Sequence, residues 1–355
     1  ASLSENAGRV QQDLLIDFQK PKVEVLSLQH VASQGGAEFV VYRAQDSNLS
    51  ESGVRVGEAF FRGYKAESMD PSFAQHPEIH VALFALPFGF DAVKQKLAVE
   101  ASDSAGNSTS VPLHFRIATT VQPNVASKLT EKLLTNKVPA LVESYQHMAG
   151  RTDRIPLDTI EQQVAAFKIV NEDFRALLEK KLQDLAQSSD RPQLWKGVFL
   201  KPMPSATSST FGESRNYTLK DLNGGHSMHN GLDLASVAND KVVAANDGVV
   251  VLAGDFGIYG NAIVIDHGLG LFSLYGHLSS VSKNVGDSVE KGAEIGRTGQ
   301  TGLAGGDHLH FEFRIRGTPV TPIEWWDAKW LQDNIDGKLA ETQTQLGSGA
   351  SAASK

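Results

Sequence analysis

The chain has 355 residues, 41% hydrophobic and 21% charged, the balance of a globular protein long enough for two or three domains. A net charge of −8 argues against a nucleic-acid partner, and the absence of cysteine excludes disulfides, thiolate zinc sites, iron–sulfur clusters and cysteine nucleophiles. No apolar run approaches the ~18 residues that a transmembrane segment needs.

Residues 1–20, ASLSENAGRVQQDLLIDFQK, form an N-terminal segment without the apolar stretch of a secretion signal. Over residues 21–120 the runs KVEVLSLQ, GAEFVVYRAQ, HVALFALPF, QKLAVEAS and VPLHFRIA are rich in Val, Phe and Leu. Gly, Ser, Asn or Pro separates most of them, which predicts a β-sandwich. The pattern A-x-D-x-x-G-N, Ala101 to Asn107, resembles bacterial immunoglobulin-like domains.

Residues 121–192 change period and predict a helical connector of two or three helices. Ile160, Val164, Phe167, Val170, Phe174, Leu177, Leu182 and Leu185 recur mostly at steps of three and four, one apolar helix face. A shorter helical stretch is expected over Val125–Lys137, with Pro139 and Pro156 as breaks. Residues 193–336 are dense in glycine and predict a β-domain of short strands. Within it VGDSVEKGAEIG, Val285 to Gly296, reads as strand, tight turn and strand. Residues 337–355, rich in Ser, Ala and Gly, predict a disordered tail. The whole is expected to be mainly β.

Metal chemistry is suggested first by HSMHNGLD, His226 to Asp233. His226 and His229 would share a face only on a helix, and the surrounding glycines make poor helix. His229 and Asp233 are four apart, with Gly231 between them to allow a close bend. Asp233 opens a short strand that puts Leu232 and Leu234 on the opposite face. In GGDHLHFEF, Gly305 to Phe313, strand alternation gives His308 and His310 one face and Leu309, Phe311 and Phe313 the other. In LFSLYGHLS, Leu271 to Ser279, the same alternation puts Tyr275 and His277 together. HPEIH, His76 to His80, is a decoy, because its glutamate stands at the wrong step for a zinc helix.

A His-x-x-x-Asp, then a Gly-His after a strand, then a His-x-His followed by aromatics resembles the lysostaphin-like (LytM-type) zinc metallopeptidases. The segments FGESR, NDGVVVLAG and GRTGQTGLAGGDHLHFEF agree, and the likeness spans about Trp195 to Trp326. The resemblance implies a C-terminal antiparallel β-sheet peptidase domain holding one zinc ion per chain. His229, Asp233 and His310 would be its ligands, and His277 and His308 would be catalytic. Tyr275 is a further candidate oxyanion donor. Three protein ligands leave a fourth position for water, which zinc acidifies for attack on a peptide carbonyl.

The resemblance further implies an endopeptidase acting on peptide stems or cross-links of bacterial peptidoglycan, in the periplasm or cell envelope. A leader or membrane anchor is then expected before Ala1. The alternative is a latent or non-enzymatic regulator of other wall hydrolases. The helical stretch Ile160–Leu185 is placed to cover the active site intramolecularly.

Overall fold

The structure, a computed structural model, describes residues 17–28, 31–91 and 93–353. Most of the expected N-terminal segment 1–20 therefore lies outside the described residues.

The chain is mainly β. Its first part holds two four-stranded antiparallel sheets. One orders the strands Lys22–Val25, Ala37–Gln45, Ile79–Ala85 and Tyr64–Lys65; the other orders Ala59–Arg62, Leu49–Val56, Leu97–Asp103 and Ser108–Pro112. At the Asp103–Ser108 turn, Asp103 Oδ1 accepts from the amides of Ala105 (2.9 Å) and Asn107 (2.8 Å). Gly106 supplies the left-handed φ of 90° that this turn requires.

Three helical pieces follow: α1 (Glu131–Ala149), α2 (Ile160–Ile169) and α3 (Arg175–Gln187), with a π-turn over Val170–Phe174 joining the last two. Two expectations need correction. Val125 lies in a strand, Asn124–Lys128, and α1 starts only after Thr130, whose side chain caps the amide of Leu133. Nor does Pro139 break α1. Burial of Leu134, Val138, Leu141, Val142 and Tyr145 on one face offsets the hydrogen bond that the proline removes.

The C-terminal part is built on an antiparallel sheet in the order Ala206–Ser209, Leu232–Ala235, Leu309–Ile315, Leu271–Leu278, Asn261–Gly268, Gly248–Asp255 and Ser288–Val289. The two strands of VGDSVEKGAEIG do not pair with each other. Ser288–Val289 joins this sheet, whereas Glu294–Arg297 pairs with Lys241–Val243 and Ser280–Val281.

Both faces of the sheet are covered. Ile263, Ile265, Tyr275, Phe311 and Phe313 share one core with Phe39, Val41 and Leu83 of the N-terminal sheets. Strand Ile79–Ala85 is consequently buried along its whole length, in contact with Leu309–Ile315. The other face, with Ala262, Val264, Phe272 and Leu274, shares a second core with Leu134, Phe167, Phe174 and Leu178 of the helices. The connector is thus a packed layer of the C-terminal part.

The expected disordered tail is a helix, Gly337–Ala353. Lys338, Leu339 and Thr342 are buried, and Lys338 Nζ donates to Glu38 Oε1 at 2.5 Å. Its Ser/Ala/Gly composition hides the helical spacing of Leu339, Thr342 and Leu346.

Glu324 ties this end to the N-terminal sheets by accepting from the amide of Ala37 at 2.8 Å. Burial lifts its pKa from 4.5 to about 8, aided by Glu38 and opposed by the Ala37 hydrogen bond. Between those values the folded chain holds more protons on this group than the unfolded chain, so stability falls as pH rises. Urea unfolding from pH 5 to 8 is expected to show that fall, and Glu324→Gln to flatten it.

Candidate metal centre and active site

The register of the C-terminal sheet assembles the site. Directly opposed residues of antiparallel strands share a face. Asp233 stands opposite His310, and His310 in turn opposite Gly276. On the same face, Leu274 opposes Glu312 and Phe272 opposes Arg314. His310, Glu312 and Arg314 therefore all face the helical layer. Gly231 serves close packing, since a side chain there would overlap the carbonyl oxygen of Phe311.

Three donor atoms converge. His229 Nε2 lies 3.0 Å from Asp233 Oδ1 and 3.1 Å from His310 Nδ1, and those two are 2.9 Å apart. These residues form a group able to hold a metal ion.

The surroundings fix which nitrogen of each ring is available. A carbonyl only accepts, so His229 Nδ1, 2.8 Å from Thr210 O, carries the proton and leaves Nε2 as a lone pair. His310 Nε2 is 2.7 Å from Glu312 Oε1, which leaves Nδ1 facing the centre. Asp233 offers Oδ1 to the centre while its Oδ2 accepts from Arg215 at 3.4 Å. Three electron-rich atoms so close need a positive charge among them.

That charge is a proton or a metal ion. Burial would depress the pKa of His310, but Asp233 and Glu312 outweigh burial and raise it to about 9. For Asp233 burial acts upward, and the surrounding imidazoles of His229, His308 and His310 overcome it to hold the carboxyl well below its usual range. His229 is depressed by burial toward the neutral form that ligates. The donor set of two imidazoles and one carboxylate suits zinc.

Behind His310 runs a buried chain of charges. Glu312 Oε2 accepts from Arg314 Nε at 2.5 Å, and Arg314 reaches Glu179 of α3 at 2.7 and 2.9 Å. The Tyr259 hydroxyl lies 2.9 Å from Glu179 Oε1 and 3.1 Å from Glu312 Oε1, its one proton shared between the two carboxylates. Glu312→Gln is expected to weaken metal binding about 10- to 100-fold, because the carboxylate that orients a ligating imidazole is lost. Competition against a chelating dye measures it.

His308 and His277 stand beside the centre. His308 Nε2 is 3.6 Å from Asp233 Oδ1, and its Nδ1 donates to Gly306 O at 2.9 Å. His277 Nδ1 donates to Thr301 O at 2.9 Å, and the two rings are 4.8 Å apart. Burial, then the neighbouring His310 and His308, hold the pKa of His277 far below normal. Both therefore present a lone pair at Nε2 in the neutral form.

Tyr275 is placed elsewhere, contrary to the sequence expectation. It is fully buried on the opposite face, where its hydroxyl accepts from the amide of Ala245 at 2.8 Å and lies 3.0 Å from Ser273 Oγ. The parity breaks because His277 has φ of 63°, a left-handed twist that turns its ring onto the face of His310. Strand alternation alone could not reveal this. His226 is also apart, its Nε2 2.9 Å from Ser214 Oγ. His80 stacks on Tyr42.

Sequence reasoning missed Glu312, Arg314, Glu179, Tyr259 and Arg215. Glu312 had a signal, since His308, His310 and Glu312 continue one strand parity. The centre opens into a cleft of about 210 Å³, lined also by Leu129, Leu133 and Phe167 from the connector.

A profile of peptidase family M23 matches residues 227–322. The chain is 45% identical over 96 residues to the DD-carboxypeptidase/endopeptidase Mpg of Neisseria meningitidis, covering 27% of this chain and 22% of that protein. It is 40% identical over 96 residues to the peptidoglycan DD-endopeptidase ShyA of Vibrio cholerae, with the same coverage. The murein hydrolase activator EnvC of Escherichia coli is 37% identical over 95 residues, covering 27% of this chain and 23% of that protein. The chain thus spans about a fifth of the length of the curated relatives it matches. Profile, motif order and sheet register agree that the chain carries a peptidase family M23 domain of the lysostaphin-like type.

Proposed function

We propose that the chain is a zinc-dependent endopeptidase that cuts peptide stems or cross-links of bacterial peptidoglycan, outside the inner membrane. One observation carries this: the lone pairs of His229, Asp233 and His310 converge beside two further imidazoles. The names of the Neisseria and Vibrio relatives support the substrate class.

His229 Nε2, Asp233 Oδ1 and His310 Nδ1 would hold the metal. Zinc bound there supplies the Lewis acidity that activates water and polarises the scissile carbonyl. His308 Nε2, held in its tautomer by Gly306, takes up the water proton. His277 offers a second Nε2 and, once protonated, donates toward the developing oxyanion or the leaving amine. Arg215 and Glu312 keep the carboxylate and His310 in register. The N-terminal sheets are read as an immunoglobulin-like spacer or binding module.

The activator relative favours a second reading, a regulator that does not cut. Retention of the whole ligand set argues against it. Asp233→Ala separates the two: a folded variant without metal that no longer complements in cells supports the enzyme, and full complementation sinks it. A covered cleft is supported by Leu133 and Phe167 at its wall. Leu133→Ala should then hydrolyse faster than the native chain, and equal rates would remove that idea.

A further inference from the structure

The charge of the cleft runs against that of the chain. The protein carries a net −8. Yet, among the described residues, the cleft at the metal centre and the pocket adjoining it are lined by Lys128, Lys132, Lys137, Arg175 and Arg215, with Asp233 as the one carboxylate. The two hollows meet at Lys128, Leu133 and Gly305. Arg215 is already paired with Glu213 and Asp233. Lys137 donates to the carbonyl of Gln300. Among the described residues, no carboxylate pairs with Lys128 or Arg175.

Arg175 is mounted with care. It follows the π-turn Val170–Phe174, whose Asn171 is fully buried. Asn171 Nδ2 donates to His226 O at 3.2 Å, which fixes the amide. Asn171 O and Oδ1 then accept from Arg175 Nε and one Nη, each at 3.1 Å. A buried asparagine is a poor choice for a helix interior, and π-turns concentrate at functional sites. Here the pair clamps one edge of a guanidinium that lines the cleft. A cation fixed beforehand loses little entropy when it binds a carboxylate.

We propose that Arg175, with Lys128 at the junction of the two hollows, is a specificity-determining residue that binds a free carboxylate of the peptide substrate close to the scissile amide. This rests on the peptidase reading above. The connector then forms one wall of the substrate site, and an α-carboxylate or acidic side chain of the bound peptide pairs with it. A neutral peptide leaves the cationic wall unmatched.

The test uses the zinc-loaded full chain and synthetic peptides that copy a wall cross-link, with their carboxylates either free or amidated. KM and kcat come from hydrolysis. Kd comes from calorimetry on a His308→Ala background, where turnover does not interfere. Amidation is expected to raise KM and Kd about tenfold for the native site, as loss of a charge-assisted pair would. Arg175→Gln should raise both about as much for the free acid, leave the amide unchanged, and be partly rescued by Arg175→Lys. Lys128→Gln, at an exposed position that does not disturb the fold, should act in the same direction and decides the matter if Arg175→Gln misfolds. Equal handling of acid and amide by the native chain, with no effect of Arg175→Gln or Lys128→Gln, overturns the proposal while the peptidase reading stands. Neither binding nor cleavage of either peptide overturns both.

Discussion

His308→Ala is expected to lower kcat on cross-linked peptides by about 10²- to 10⁴-fold, the usual contribution of a positioned base, while one zinc ion stays bound. The ring lies outside the ligand triangle, with Nε2 3.6 Å from Asp233 Oδ1 against 2.9 to 3.1 Å among the triangle's own atoms. Its Nδ1 proton is committed to Gly306 O, so Nε2 is the atom left to accept a proton. Metal analysis beside steady-state kinetics checks both halves. Loss of zinc together with activity would make His308 a ligand, and unchanged kcat would pass the base role to His277.

Arg314→Met is expected to cost about 3–5 kcal/mol of stability, the range for breaking one side of a buried ion pair. Arg314 is 2% exposed and answers both Glu312, itself fully buried, and Glu179 of α3. Without the guanidinium, Glu312 and Glu179 face each other through Tyr259 with no cation between them. Urea unfolding measures the loss, and Glu312→Gln on the same background should recover part of it by removing one stranded charge. A loss under about 1 kcal/mol would mean that solvent screens the chain of charges as it does at a surface.

The same residues explain how far the sequence could be read. The resemblance named His229, Asp233 and His310, whereas strand parity alone put His308 and His310 on one face without choosing between them; the sheet register sets Asp233 opposite His310, with His229 beside them. Tyr275 was misread because one left-handed residue, His277, reverses that parity. Glu179 could not be linked to Arg314 from sequence, since 135 positions separate them and only the docking of α3 on the sheet joins them. The tail was misread for a different reason. Its small residues look unstructured alone, but Leu339 and Lys338 find partners on a sheet some 300 positions earlier.

The connector is likewise visible only in three dimensions. Its apolar face reads as a helix in the sequence, but nothing there says that it covers Val264, Phe272 and Leu274 and lines the cleft. A chain cut near Gln193 would bare that face of the sheet, so loss of activity on truncation would report lost packing as much as lost regulation.

The measurement that tests the central claim most directly is digestion of purified sacculi by the zinc-loaded chain, with released fragments identified by mass spectrometry. The account predicts fragments cut at a peptide bond of the stem or cross-link, absent with Asp233→Ala and with chelator. Intact sacculi after incubation with a chain shown to hold one zinc ion, or fragments cut in the glycan strand, would contradict it.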